Sequence, residues 1–187
     1  MSGARALSKD EHLKLKESFA SLRNKCLYIL GKNTGFRISE LLSITIGQVY
    51  KKDFVKVARK NVKGQSESRE VILNKEAKEA ISEYLNSLES LNMNGPLFVS
   101  RNGSGMKSLS RIMAHKVFKQ AFEQAGLTGS LSTHTCRKSY AMKIYEASGH
   151  DLIMTSRSLG HKNLSTTVNY LPVNQDKLNS IILEEDE

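Results

Sequence analysis

The sequence predicts an α+β domain, mainly helical, with a small three-stranded antiparallel sheet, and three observations carry that prediction. Apolar residues recur at helical spacing in several separate runs, such as Ala77, Ile81, Leu85 and Leu88. From Ile44 to Leu73 the period changes toward two, as in paired strands. A break at Asn92 to Pro96 then precedes the short apolar run Leu97-Phe98-Val99, which supplies the third strand. With 187 residues, the chain can bury one good core, or at most two small ones, and there is no internal repeat and no linker long enough to separate two domains.

The elements follow in order. Residues 1–7 read as a disordered leader, and Ser8-Lys9-Asp10-Glu11 has capping-box spacing. A helix runs through Leu15, Phe19 and Leu22, and a second apolar segment, Cys26 to Leu30, is closed by Gly31 and Gly35. Arg37 opens a short helix with Glu40, Leu41 and Leu42, the leucines facing the core. Phe54 to Ala58 and Arg69 to Leu73 are strands, and Lys60 to Ser68 between them makes a basic hairpin tip. Asn74 caps the next helix. Residues 101–109 form a Gly/Ser/basic loop, and Ser110 caps a helix whose apolar set is Ile112, Met113, Val117, Ala121 and Phe122. Gly126 and Gly129 end it. The helix from His134 buries Cys136, Tyr140, Ile144 and Ala147, with Arg137 flanking that stripe and His134 further round, as in a half-buried site. Pro172 stops the segment that carries Tyr170. The domain therefore spans 8–172, followed by a 173–187 tail in which Asn174 caps a short helix with Leu178, Ile181 and Ile182 on one face, ahead of four acidic residues.

Lys plus Arg exceed Asp plus Glu by 28 to 19, a net charge of +9 that favours a polyanionic partner. Cys26 and Cys136 are far apart and outside any Cys/His cluster, so neither a zinc site nor a disulfide framework is indicated. Two reduced thiols and the lack of an apolar leader or membrane-length run predict a cytoplasmic protein.

The chemistry concentrates between His134 and Tyr170. His134 and Arg137 share a helix face, His161 follows the turn-forming Gly160, and Tyr170 comes nine residues later. Two imidazoles, a guanidinium and a phenol suit a phosphate and a nucleophile. His134-x-x-Arg137, Leu159-Gly160-His161 and Tyr170, in that order, resemble the signature of the tyrosine recombinases, the phage integrase family of site-specific DNA recombinases. That resemblance asks for an upstream arginine in a Thr-Gly-x-Arg-x-Ser-Glu-Leu setting, and Thr34 to Leu41 supplies Arg37. It also asks for a lysine on the hairpin, which Lys63 matches, with Lys60 as a second candidate. The match runs from Arg37 to Tyr170, most of the chain.

The resemblance implies a tyrosine-recombinase catalytic domain that breaks and rejoins double-stranded DNA through a 3′-phosphotyrosyl bond, with neither cofactor nor metal. Tyr170 would be the nucleophile, Arg37 and Arg137 the phosphate clamp, Lys63 the acid toward the 5′-oxygen, and His134 and His161 proton-exchanging groups. Glu40 would orient Arg37. It further implies a monomer without DNA and a synaptic tetramer on it, built by exchange of C-terminal segments, with no membrane partner. Three features depart from the family pattern: Lys138 stands where His is common, Ser158 where an apolar residue is usual, and the chain starts at the catalytic part without an N-terminal clamping domain. A relaxing type IB topoisomerase and a non-catalytic basic DNA-binding protein are the alternative readings.

Overall fold

Helix starts fall where capping side chains stand in the computed structural model, which describes residues 3–60, 66–100, 107–161 and 165–168. The helices are α1 (Lys9–Glu17), α2 (Leu22–Thr34), α3 (Ile38–Leu41), α4 (Lys75–Asn86), α5 (Arg111–Gln124), α6 (His134–Ala147), α7 (Leu152–Leu159) and α8 (Ser165–Val168). In α1, α2, α4, α5 and α7 the side chains of Ser8, Ser21, Asn74, Ser110 and Asp151 accept from the amide three residues on, each worth about 1 kcal/mol. The expected capping box is complete, since Ser8 N–H also donates to Glu11 Oε2 at 2.8 Å. The chain divides into two compact units, residues 1–140 and residues 141–187.

In the first unit α2 is the central element. Cys26 to Gly31 are all buried, and α2 packs on α4, which turns Ala77, Ala80, Ile81, Tyr84 and Leu85 inward. Glu76 ties three helices together by meeting Lys16 from α1 and Lys32 and Asn33 from α2. The single helix expected through Leu15, Phe19 and Leu22 is two helices. Residues 18–21 break it, and Phe19 leaves the helical path to stack on Tyr28 at 5.1 Å and meet Phe118 edge-on. On α5 the inward set is Ala114, Phe118, Ala121 and Phe122, whereas Ile112 and Met113 are exposed.

The leader is not disordered throughout. Arg5 makes a two-pronged ion pair with Glu11, its Nε and Nη2 donate to Thr128 O, and its N–H donates to Ser130 O. Leu7 joins the core, with its N–H on Ser139 Oγ. Charge complementarity and one buried leucine therefore fasten residues 5–7.

Strands β1 (Phe54–Lys60) and β2 (Ser66–Ile72) pair antiparallel, with Val55 opposite Val71 and Val57 opposite Arg69. Val55 and Val57 are buried between exposed Phe54, Lys56 and Ala58, the alternation of a one-faced hairpin. Among the described residues the sheet has two strands, not three. Leu97 to Val99 takes part only in isolated bridges, Thr45 to Pro96 and Val99 to Ser108. Pro96 has no N–H for a ladder, and Leu97 N–H goes to Ile44 O while Phe98 O receives Leu109 N–H. The segment is buried for its side chains, and its backbone bonds are shared among different loops.

In the second unit Asp151 caps α7, and α7 contacts α8. Thr155, Ser156 and Leu159 are buried, while Ile153 and Met154 are exposed. His150, expected to be a surface turn residue, is exposed with φ +71° and packs edge-on against Tyr145 at 4.9 Å. The tail helix expected after Pro172 and the basic loop tip at 101–106 lie outside the described residues. Among the described residues no helix is long and apolar enough to cross a membrane.

Candidate active site

Helix α2 ends because Gly35 adopts the left-handed conformation, φ +61° and ψ +18°, with its N–H still bonded to Gly31 O. The ring of Tyr140 lies against this glycine so closely that a β-carbon there would stand 2.8 Å from Cγ. Phe36 is buried next in sequence and fixes the chain's exit. Arg37 then opens α3 with extended backbone, φ −67° and ψ 153°. One carboxylate holds it at both ends. Glu40 Oε2 accepts Arg37 N–H at 2.7 Å, and Glu40 Oε1 accepts Arg37 Nη1 at 3.3 Å. The Glu40 side chain is buried whereas that of Arg37 is 40% exposed, so the guanidinium is anchored from beneath and open above.

Arg137 enters from α6 and is 1% exposed, a deeper burial than the half-buried site expected for it. Its Nη1 donates to Gly35 O at 2.6 Å. That carbonyl closes α2, where the negative end of the helix dipole gathers, so a cation there is favoured. His134 sits one turn earlier, exposed at the first position of α6, ahead of buried Thr135 and Cys136. The turn is shaped by Ser132, whose Oγ accepts His134 N–H and whose O accepts Thr135 N–H. Partial desolvation, and then the charges of Arg137 and Arg37, hold the His134 pKa below its ordinary value. Arg37 and Arg137, a hundred residues apart in the chain, thus form with the imidazole of His134 one group around the end of α2.

A third arginine belongs to the same frame. Arg69, read from sequence only as a strand residue, is buried, donates from Nη2 to Thr34 O at 2.6 Å, and lies over the rings of Phe36 at 4.8 Å and Tyr140 at 6.0 Å. The signal was present. Arg69 and Val71 share the inward face of β2 by period two, a pattern that buried Leu73 continues just past the strand, and an inward arginine on a strand requires a built partner.

His161 stands in the second unit. Gly160, at φ +62°, closes α7 with paired bonds in which Gly160 N–H meets Arg157 O and His161 N–H meets Ser156 O. That turn sets the His161 backbone, and a 2.7 Å hydrogen bond between Nδ1 and Thr167 Oγ1 sets the ring. Thr167 is buried in α8, three residues before Tyr170. Lys63 and Tyr170 lie outside the described residues, as does the side chain of Lys60.

The group can neutralise an anion and offers a neutral imidazole to take a proton. Burial pushes the Cys136 thiol up to about 12 and raises Cys26 as well, so neither supplies a thiolate nucleophile. Among the described residues no three His, Cys, Asp or Glu side chains gather as metal ligands.

The same chain stretch matches known proteins. The model of the phage integrase family covers residues 6–177. The probable integrase/recombinase YoeC of Bacillus subtilis is 28% identical over 172 residues, 92% of this chain and 90% of YoeC. Tyrosine recombinase XerD of Corynebacterium glutamicum is 33% identical, with 86% of this chain aligned to 51% of XerD. Tyrosine recombinase XerC of Rickettsia canadensis is 35% identical, with 81% aligned to 48% of XerC. The chain spans about half the length of these Xer relatives. The fold superimposes on XerA recombinase with a TM-score of 0.75 at 23% identity, covering 99% of this chain and 66% of XerA. It also superimposes on XerH bound to its palindromic difH substrate, with a TM-score of 0.72 at 23% identity, covering 97% and 53%. A matching family model over nearly the whole length shows that the chain belongs to the phage integrase family.

Proposed function

We propose that this chain is the catalytic domain of a site-specific DNA recombinase, which cuts and rejoins duplex DNA through a phosphotyrosyl bond at Tyr170. The observation that carries the reading is the convergence of Arg37, His134 and Arg137 on the end of α2, with His161 held for use by Thr167. Family membership supports it, as do relatives named as recombinases and fold neighbours captured on DNA, among them a lambda integrase dimer on a core site.

Phosphodiester cleavage needs a nucleophile, a proton donor for the leaving oxygen and cations for the charge that builds on phosphate. The Tyr170 oxygen attacks phosphorus while its proton passes to His134 or His161. The P–O5′ bond breaks, and the ammonium of Lys63, with Lys60 as the alternative, gives its proton to the 5′-oxygen. Reversal by an incoming 5′-hydroxyl rejoins a strand and frees the tyrosine. Arg37 and Arg137 carry the charge of the non-bridging oxygens and keep their own charge at any working pH. Side chains supply every cation this scheme requires, so it runs without a metal. A phenol, with a reference pKa of ~10, ionises more readily than an alcohol, and its phosphodiester keeps the bond energy for religation.

The domain occupies 8–172 and works in the cytoplasm on double-stranded DNA. It is a monomer alone and assembles on paired half-sites by exchange of the 173–187 tail. The test is a nicked suicide duplex carrying the chain's flanking genomic sequence. Wild type forms a covalent adduct and sediments as a tetramer with half-sites. Tyr170→Phe keeps DNA binding and forms no adduct. An adduct that persists in that variant, or that maps to Tyr145, refutes the assignment. Sedimentation as a monomer with half-sites refutes the exchange.

A further inference from the structure

We infer that Arg69 is a positioning residue for the cleavage reaction: it joins the hairpin to the arginine turn and holds Arg37 and Arg137 at their working separation. The inference rests on the recombinase reading. Three observations meet at this side chain. First, the carbonyls of Thr34 and Gly35, adjacent at the end of α2, each receive one guanidinium at 2.6 Å, Arg69 on Thr34 and Arg137 on Gly35. Two neighbouring peptide planes are thus fixed by two arginines from different elements, and the next residues along are Phe36 and Arg37. Second, the Arg69 guanidinium lies over the Phe36 ring at 4.8 Å and the Tyr140 ring at 6.0 Å. Phe36 precedes Arg37 directly, and Tyr140 stands one turn beyond Arg137 on α6. Third, Arg69 sits in the middle of β2, opposite buried Val57 of β1. A single planar group, carried by the hairpin, therefore touches both the approach to Arg37 and the helix of Arg137.

A lysine could restore the charge but not this role. Its ammonium is a compact point charge, whereas the planar fork can donate to Thr34 O and lie over aromatic faces at once. The Arg69 guanidinium is engaged by Thr34 O and by the faces of Phe36 and Tyr140, so it acts through these neighbours.

The experiment compares wild type, Arg69→Lys, Arg69→Met, Arg37→Ala and the Arg37→Ala/Arg69→Lys double variant as full chains. It measures thermal melting, duplex affinity, single-turnover adduct formation at saturating suicide duplex, and the guanidinium Nε–Hε NMR signals of Arg37 and Arg137. Arg69→Lys should stay folded at assay temperature, bind duplex within about two-fold of wild type, and cleave roughly 10- to 100-fold more slowly, as expected for a clamp displaced by a fraction of an ångström to an ångström. Its Arg37 and Arg137 signals should move, and Arg69→Lys should slow the Arg37→Ala background by a smaller factor than it slows wild type, because the part of its effect that passes through Arg37 is already lost and only the part through Arg137 remains. Cleavage by folded Arg69→Lys within about two-fold of wild type overturns the inference, and so does a loss that multiplies in full with that of Arg37→Ala. Losses in Arg69→Lys and Arg69→Met that merely track the fraction unfolded overturn it too. If wild type itself gives no adduct, the recombinase reading fails, and the NMR arm still decides whether Arg69 sets the two arginines.

Discussion

Replacing Gly35 by alanine should damage stability and cleavage together, by an amount that follows from two local facts. The residue stands at φ +61°, where a β-carbon costs about 1–2 kcal/mol. That carbon would also stand 2.8 Å from Tyr140 Cγ and closer still to Cδ1, and pushing a packed ring aside costs about 1–3 kcal/mol. The sum, roughly 2–5 kcal/mol, corresponds to a fall in melting temperature of about 4–20 °C at this chain length. Any relief of the clash moves either the Gly35 carbonyl away from Arg137 or Tyr140 away from Arg69, so adduct formation at saturating DNA should drop at temperatures where the variant is still folded. Differential scanning calorimetry and the suicide-duplex assay measure the two effects. Adding Tyr140→Ala removes the collision and leaves the backbone cost, so the double variant should lie closer to Tyr140→Ala than Gly35→Ala lies to wild type. A Gly35→Ala protein that melts and cleaves like wild type would refute the argument. Strict additivity of the two substitutions would show that the ring does not confine the glycine.

Arg37→Ala and Arg137→Ala should each slow cleavage by about 10²–10³-fold, with duplex affinity little changed because binding is spread over many cations. They should differ in stability: Arg137→Ala strands a buried carbonyl and costs about 1–3 kcal/mol, whereas half-exposed Arg37→Ala stays near wild type in urea melts. A loss seen mainly as weaker binding would make either residue a docking contact. Arg5 donates to Glu11 and holds its carboxyl at about 2, well below the usual carboxylate range. A depressed folded pKa stabilises above the unfolded value near ~4.3, and that contribution is lost as pH falls toward the folded one. Arg5→Ala should therefore lower stability at pH 7, narrow its gap to wild type in acid, and return Glu11 to the ordinary range in an NMR titration. Since His134 is held below the ordinary histidine pKa of ~6.5, its imidazole stays neutral at pH 7, and adduct formation should fall only on the acid side of that value. An acid limb centred above it would assign the proton to another group.

Much of this was legible because the relevant physics is local. Capping serines and asparagine, the left-handed glycine after α2 and the period-two hairpin are decided by residues within a few positions of one another, and all stand where the sequence placed them. The order of Arg37, His134 and Arg137 was readable as a motif, and the fold brings them together. What escaped depends on distant partners. Phe19 leaves its helix because Tyr28 and Phe118 offer ring faces, Arg5 is fastened by Glu11 and by carbonyls near residue 130, and Ile112 gives its place inward to Ala114 and Phe118. The third strand failed because hydrophobic content marks burial and not pairing: Leu97 and Phe98 are buried as fully as strand residues, yet their backbone groups bond to separate loops. Arg137 was placed in a half-buried site and Arg69 on a strand, but the carbonyls that receive them lie 102 and 35 positions away, beyond the reach of local pattern.

The carboxylate of Glu40 grips the amide and the guanidinium of the same residue, so the torsions of Arg37 are settled while the protein folds. A free arginine surrenders about 2 kcal/mol of rotamer entropy when it is immobilised on a ligand. Here most of that loss precedes any encounter with DNA, and a phosphate reaching the open side of the guanidinium meets a donor already aimed. The same grip has a kinetic side. Because Arg37 need not search for its pose after DNA arrives, its contribution should be complete at first contact, and the slow steps of a reaction cycle are left to the segments on either side of it.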